Sequence, residues 1–177
     1  MRRTTVVAVL LVALYALTVF ANSMRTKSNE TIAIEEMKPK KEIYLAGGCF
    51  WGTEHFIKQI YGVTATEVGY ANGKGRKPDY RSVSTGKTGF AETVRVIYDP
   101  EVISLENLLD LFYETIDPLS VNKQGNDFGT QYRTGIYYID KADSVLVKSS
   151  LAQLAQHPSH PLAVEQQELV YFYKAEE

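Results

Sequence analysis

The sequence predicts an α+β fold: a two-layer α/β sandwich whose mixed sheet is built around a ferredoxin-like βαβ core. Three observations predict it. Short apolar or alternating runs of strand character recur along the chain, and helical stripes stand between them. The two kinds alternate imperfectly, not as a strict βα repeat. The 177 residues suit one domain of ordinary size, and 45% apolar with 23% charged residues is a globular composition.

The chain opens outside that domain. Met1-Arg2-Arg3 precedes 21 uncharged residues, Thr4 to Met24, rich in Val, Leu and Ala. A basic start followed by an apolar run is the order of a secretory signal, and Val19-Phe20-Ala21 allows cleavage after Ala21. The run is also long enough to remain as a single membrane anchor. Residues 1–24 are therefore expected to be a signal peptide or anchor, and the polar residues 25–41 a linker. The domain then covers 42–177, facing the extracytoplasmic side whether secreted or membrane-anchored.

Ile43-Tyr44-Leu45-Ala46 reads as a strand stopped by Gly47-Gly48. From Phe50 the spacing of Phe56, Ile57 and Ile60 marks one helical face up to Tyr61-Gly62. Val63 to Tyr70 is a second strand, so a βαβ unit spans Ile43 to Tyr70, and Asn72 to Pro78 is a loop. Glu92, Val94, Val96 and Tyr98 alternate with Thr93, Arg95 and Ile97 in a strand ended by Asp99-Pro100. Ser104 caps a helix with a Leu105, Leu108, Leu109, Phe112 and Ile116 stripe, which Asp117-Pro118 stops. Ser120 to Gln131 reads as a polar loop and Tyr132 to Ile139 as a strand. Asp140 caps a last helix running to Gln156.

Charge and cysteine count remove several functions. A net charge of −2 provides no footprint for nucleic acid. One cysteine excludes a disulfide scaffold and a cysteine-rich metal or cluster site; no metal is expected. The thiol is either buried filler or a reagent.

Cys49 lies between a strand end and a helix start, where unpaired N–H groups and the helix dipole favour a thiolate. Neighbouring Gly47 and Gly48 let a substrate approach the backbone closely. His55 is turned about 240° away from Cys49 along the helix, and His157 and His160 fit a solvated loop. Carboxylates and tyrosines are therefore the acid candidates. Glu92 heads an apolar strand face. Either it is desolvated and stays protonated near neutrality, or it sits at a frayed strand end in water, and the spacing leaves both open.

Gly47, Cys49, Phe50, Trp51 and Gly52 together resemble the signature of the A-type peptide methionine sulfoxide reductases. Gly69-Tyr70, Tyr80-Arg81-Ser82-Val83, the segment Thr85 to Glu92, Tyr98-Asp99-Pro100 and the stretch Gln124 to Arg133 agree in order. The resemblance covers residues 42–177. It implies reduction of the S epimer of methionine sulfoxide, in proteins and as the free amino acid. It implies Cys49 as nucleophile, with Glu92, Tyr80 and Tyr132 binding and protonating the sulfoxide oxygen. Phe50 and Trp51 would wall the substrate methyl group, Asp127 would orient the substrate, and Gly48 would leave it room. Cys49 would become a sulfenic acid.

Two departures stand out. Phe90 occupies a position where many members have His, which removes a polar neighbour of Glu92. The family usually continues past Ala175-Glu176, so the expectation is a truncated C-terminal end, followed naturally by a second reductase domain or a resolving cysteine. With no second thiol in these residues and no cofactor implied, recycling falls to an external thioredoxin-like dithiol, and the substrates are oxidised methionine-containing proteins. A cysteine hydrolase would need a base beside Cys49, which no histidine motif provides. An exported peptide-binding module would survive loss of the thiol.

Overall fold

The computed structural model describes residues 17–25, 27, 39–75, 77–156 and 161–176. The chain divides into two units, Met1–Pro39 and Lys40–Glu177. In the first, residues 17–25 are helical and Leu17, Val19, Phe20 and Met24 are exposed. No helix among the described residues is long and apolar enough to cross a membrane. The remainder of the expected signal and most of the expected linker lie outside the described residues, as do His157 and His160.

In the second unit the elements are β1 (Lys41–Gly47), α1 (Phe50–Ile57), β2 (Val63–Ala71), α2 (Tyr80–Val83), β3 (Ala91–Tyr98), α3 (Leu105–Tyr113), β4 (Lys123–Gln124), β5 (Asp127–Phe128), a 3-10 turn (Thr130–Tyr132), β6 (Thr134–Tyr138), α4 (Lys141–Leu154), β7 (Glu165–Glu168) and β8 (Phe172–Lys174). Six strands form one mixed sheet in the order β7-β6-β1-β3-β2-β8. β3 runs antiparallel to both β1 and β2, β6 runs antiparallel to β1, and β7 joins β6 in parallel. The inner order β6-β1-β3-β2 with α1 and α3 as crossovers is the ferredoxin-like α+β sandwich the pattern predicts. The βαβ unit of Ile43–Tyr70 is present in split form: β3 inserts between its two strands.

Alternation along the strands sorts the core into two layers. Ile43, Leu45, Val94, Val96, Tyr98 and Ile136 pack under the helices, against Phe50, Ile57, Leu105, Leu108, Leu109 and Phe112. Tyr44, Ala46, Ala71, Ala91 and Tyr137 form a smaller cluster, closed by Leu169 and Phe172. The entry to β1 is tied down by charge, Lys40 to Asp99 at 3.0 Å and Lys41 to the buried Asp143 at 2.8 Å. The expected linker therefore stops short, because Lys41 is already in the sheet.

Other boundaries differ for local reasons. α1 ends at Ile57 and buries Phe50, Thr53 and Ile57. Of the expected face, Ile57 is buried, Ile60 packs against the core beyond the helix end, and Phe56 is exposed. Gly62, with φ of +102°, turns the chain into β2 immediately afterwards. α3 starts at the Ser104 cap as expected but ends at Tyr113, before Ile116. The loop of 120–131 holds the β4–β5 hairpin and the 3-10 turn, which are too short to show periodicity. The predicted strand of 132–139 shrinks to Thr134–Tyr138, and α4 closes at Leu154, short of Gln156. Two strands have no counterpart in the sequence pattern: β7, Glu-Gln-Gln-Glu, has no apolar residue, and β8 has three residues.

Candidate active site

β1 delivers the chain to Gly47, and the residues immediately after it build the site. Gly48 turns the backbone at φ of +86°, a conformation that an L side chain resists. A Cβ there would stand 2.6 Å from the Gln124 Cβ, so glycine is needed for space as well. Cys49, extended at φ of −60° and ψ of 119°, occupies the position before the first helical residue of α1. Its carbonyl accepts from the Thr53 amide at 3.2 Å, and the Thr53 hydroxyl donates to the Gly47 carbonyl at 3.0 Å. The thiol is free and half-buried. His55 points into solvent on α1.

The first amide of α1 does not go to water. The Phe50 N–H donates to Glu92 Oε2 at 3.0 Å. Glu92 reaches it from β3, where Tyr70 of β2 is its cross-strand partner. Of the two environments open to Glu92 from sequence, the buried one holds: it is 2% exposed, and Val94, Val96 and Tyr98 on its face are buried too. Burial raises its carboxyl from 4.5 to about 7. The Phe50 N–H pulls the other way and is outweighed, and the nearby Asp127 carboxylate adds to the rise.

The remaining residues converge from irregular segments. Tyr132 ends the 3-10 turn; burial first, then Glu92, Tyr80 and Asp127, push its hydroxyl above the ordinary range. These groups therefore share one electrostatic neighbourhood with the residue next to Cys49. Asp127 comes from the β4–β5 hairpin, and Tyr80 opens α2 behind the Asp79 capping box. Phe50 is buried and meets Trp51 edge-on at 5.2 Å. Trp51 and Tyr80 are 58% and 54% exposed, so the aromatic rim faces solvent.

Two cavities flank α1. One, of about 260 Å³, is lined by Gly47, Cys49, Thr53, Thr115, Gln124 and Asp127. The other, of about 280 Å³, is lined by Phe50, Trp51, Tyr70, Tyr80, Ala175 and Glu176. All eight residues singled out from the sequence thus fall at the end of β1, the start of α1 and the segments around them. Sequence reasoning missed three further residues. Gln124 floors the Cys49 cavity: its Oε1 accepts from the Asp117 amide, and its Nε2 donates to the Asp117 carbonyl and the Thr134 hydroxyl, each at 2.8 Å. Tyr70 and Glu176 close the aromatic cavity. Gln124 and Tyr70 lie inside the segments that carry the family resemblance, but no local pattern marks Glu176. Phe90 is buried against Tyr173, with ring centroids 5.8 Å apart.

Comparison with known proteins agrees with this architecture. The family model for peptide methionine sulfoxide reductase matches residues 41–177. The chain is 55% identical over 137 residues to peptide methionine sulfoxide reductase MsrA of Lachnoclostridium phytofermentans, covering 77% of this chain and 82% of that one. It is 51% identical over 137 residues to MsrA of Clostridium perfringens, covering 77% and 87%. Among solved structures, reduced Mxr1 from Saccharomyces cerevisiae superimposes with a TM-score of 0.74 at 37% identity, covering 78% of this chain and 81% of that one. Mxr1 in complex with Trx2 gives a TM-score of 0.58 at 27% identity, covering 76% and 79%. With a family model spanning the whole folded unit and relatives above half identity, the chain belongs to the peptide methionine sulfoxide reductase family, A type, and is an oxidoreductase.

Proposed function

We propose that this chain reduces the S epimer of methionine sulfoxide, in proteins and as the free amino acid, and so repairs oxidised proteins. Sulfoxide sulfur is a poor electrophile until its oxygen is protonated, so the reaction needs a nucleophile and an acid on fixed sides of the substrate. The Cys49 thiolate attacks the sulfur while the Glu92 carboxyl gives its proton to the oxygen. The sulfur–oxygen bond breaks as the oxygen passes to Cys49. Methionine sulfur gains two electrons, Cys49 sulfur loses two, and the products are methionine and a Cys49 sulfenic acid. Tyr80 and Tyr132 hold the oxygen, Phe50 and Trp51 hold the methyl group, Asp127 orients the substrate, and Gly48 leaves room for it.

The observation that carries this reading is the buried Glu92 carboxyl, raised to about 7 and bonded to the amide next to Cys49. It is an acid that still holds a proton in about half the molecules at neutral pH, bonded to the amide of the residue that follows the thiol.

An external dithiol closes the cycle. Its first thiol condenses with the sulfenic acid, releasing water and leaving a mixed disulfide; its second thiol displaces Cys49. The Mxr1 complex with Trx2 supports a thioredoxin-like reductant. The apolar run Thr4–Met24 supports an exported or membrane-tethered enzyme with an extracytoplasmic partner.

Incubation with a methionine sulfoxide peptide and dithiothreitol tests the chemistry, with the two epimers resolved. The S epimer is consumed and the R epimer stays; equal loss of both refutes the assignment. Cell fractionation tests the location, and an intact, soluble cytosolic chain refutes it.

A further inference from the structure

Glu176 lies outside the groups assigned to the reaction, yet it touches two elements of the site at once. Its Oε2 accepts from the Tyr70 hydroxyl at 3.1 Å, and its Oε1 accepts from the Tyr80 amide at 2.7 Å. These two tyrosines come from unlike supports. Tyr70 sits in the sheet, 1% exposed, opposite Glu92, whereas Tyr80 opens a four-residue helix reached through the loop after Asn72. The Tyr70 ring leans on Phe50 at 5.8 Å.

The chain that carries Glu176 is itself anchored. β8 pairs with the end of β2, and the Ala175 amide donates to the Val68 carbonyl at 3.0 Å. Gly69 makes that close passage possible: a Cβ there would stand 2.5 Å from both the Phe172 ring and the Tyr173 carbonyl. Its own amide and that of Tyr80 hold the Glu176 carboxyl below its ordinary range, so it bridges as the carboxylate.

We propose that Glu176 is a positioning residue: it fixes the Tyr80 phenol over the aromatic cavity by tying the start of α2 to Tyr70 and the sheet. It has no part in the chemistry itself, and it acts through Tyr80. The inference rests on the proposed role of Tyr80 in holding the sulfoxide oxygen. A loosened phenol weakens the hold on the reacting oxygen, and small misplacements are expensive in rate.

A double-mutant cycle on the full chain decides it. Glu176→Ala should lower kcat/KM for a methionine sulfoxide peptide by about tenfold. Glu176→Gln keeps a side-chain oxygen that can accept from the Tyr80 amide and an amide group that can donate to the Tyr70 hydroxyl, so it should stay within about twofold of wild type. In a Tyr80→Phe background, adding Glu176→Ala should cost less than about twofold, because the phenol it positions is gone. A tenfold loss in both backgrounds, or no loss in either, overturns the proposal. A second readout does not depend on turnover. Trp51 is the single tryptophan, and it borders the same cavity. Acrylamide quenching of its emission should rise in Glu176→Ala and return to the wild-type level in Glu176→Gln. Equal quenching in all three proteins refutes the positioning role. If wild-type protein leaves the sulfoxide unreduced, the proposed function fails, while the quenching series still decides the geometry.

Discussion

Glu92 of β3 and Phe50 of α1 are joined through the Phe50 amide by a hydrogen bond of 3.0 Å, and this bond sets where the acid stands relative to Cys49. Two opposing effects meet there. The start of a helix stabilises a carboxylate, and burial penalises it; with the residue 2% exposed, burial wins.

Glu92→Gln isolates the proton. The amide oxygen can still accept from Phe50, and shape is kept, but the proton is lost. Formation of the Cys49 sulfenic acid in a single turnover, trapped without reductant, should slow by about 10²–10⁴-fold. An unchanged rate would move the proton donor to Tyr80, Tyr132 or water.

The same carboxyl makes stability depend on pH. Its folded value of about 7 exceeds the ordinary 4.5, so the folded chain binds the proton more tightly. Between those values the unfolded chain has already released it. The Glu92 contribution therefore stabilises fully at low pH and declines as pH rises from about 4.5 through 7, with a slope approaching about 1.4 kcal/mol per pH unit. Urea titrations across this window should show a shallower decline for Glu92→Gln than for wild type. Parallel curves would mean that the carboxylate is not penalised by burial.

Gly48→Ala should be worse than a glycine substitution usually is. Backbone strain at φ of +86° and overlap with Gln124 act together, for a loss of about 2–4 kcal/mol. Gly125→Ala is the comparison: φ is +56°, but no atom lies within 4 Å of the new Cβ, so only about 1–2 kcal/mol is expected. Equal urea midpoints for the two variants would show that the overlap with Gln124 costs nothing.

Gln124→Ala breaks three hydrogen bonds and strands the Asp117 amide and the Thr134 hydroxyl near the base of the Cys49 cavity. A destabilisation of about 1–3 kcal/mol is expected by chemical denaturation. A variant as stable as wild type would show that water replaces the side chain without loss.

What is legible in sequence is what repeats. β1 announces itself by a short apolar run stopped by two glycines, β3 by alternation, and α3 by its leucine stripe and Ser104 cap. Edge strands β7 and β8 do not, because a strand that buries little has no apolar period to display. The site divides in the same way. Cys49 can be picked out from its turn, and Glu92 from its place on an apolar face, but the burial of Glu92 needs the fold. Tyr80, Tyr132 and Asp127 stand on a one-turn helix, a 3-10 turn and a two-residue strand, so only the family resemblance points to them. Glu176 meets partners some hundred positions away, a relation that no local pattern encodes.

The inner strands β1 and β3 are paired on both sides; Cys49 stands two residues past the end of β1, and Glu92 is the second residue of β3. Strands paired on both sides are among the last backbone segments to exchange their amide hydrogens. Cys49 and Glu92 are therefore held at the ends of strands expected to exchange slowly, while Tyr80, Asp127 and Tyr132 stand on short segments outside the six-stranded sheet. Those short segments can change in sequence and length without moving the strand ends that hold the Cys49 sulfur and the Glu92 carboxyl.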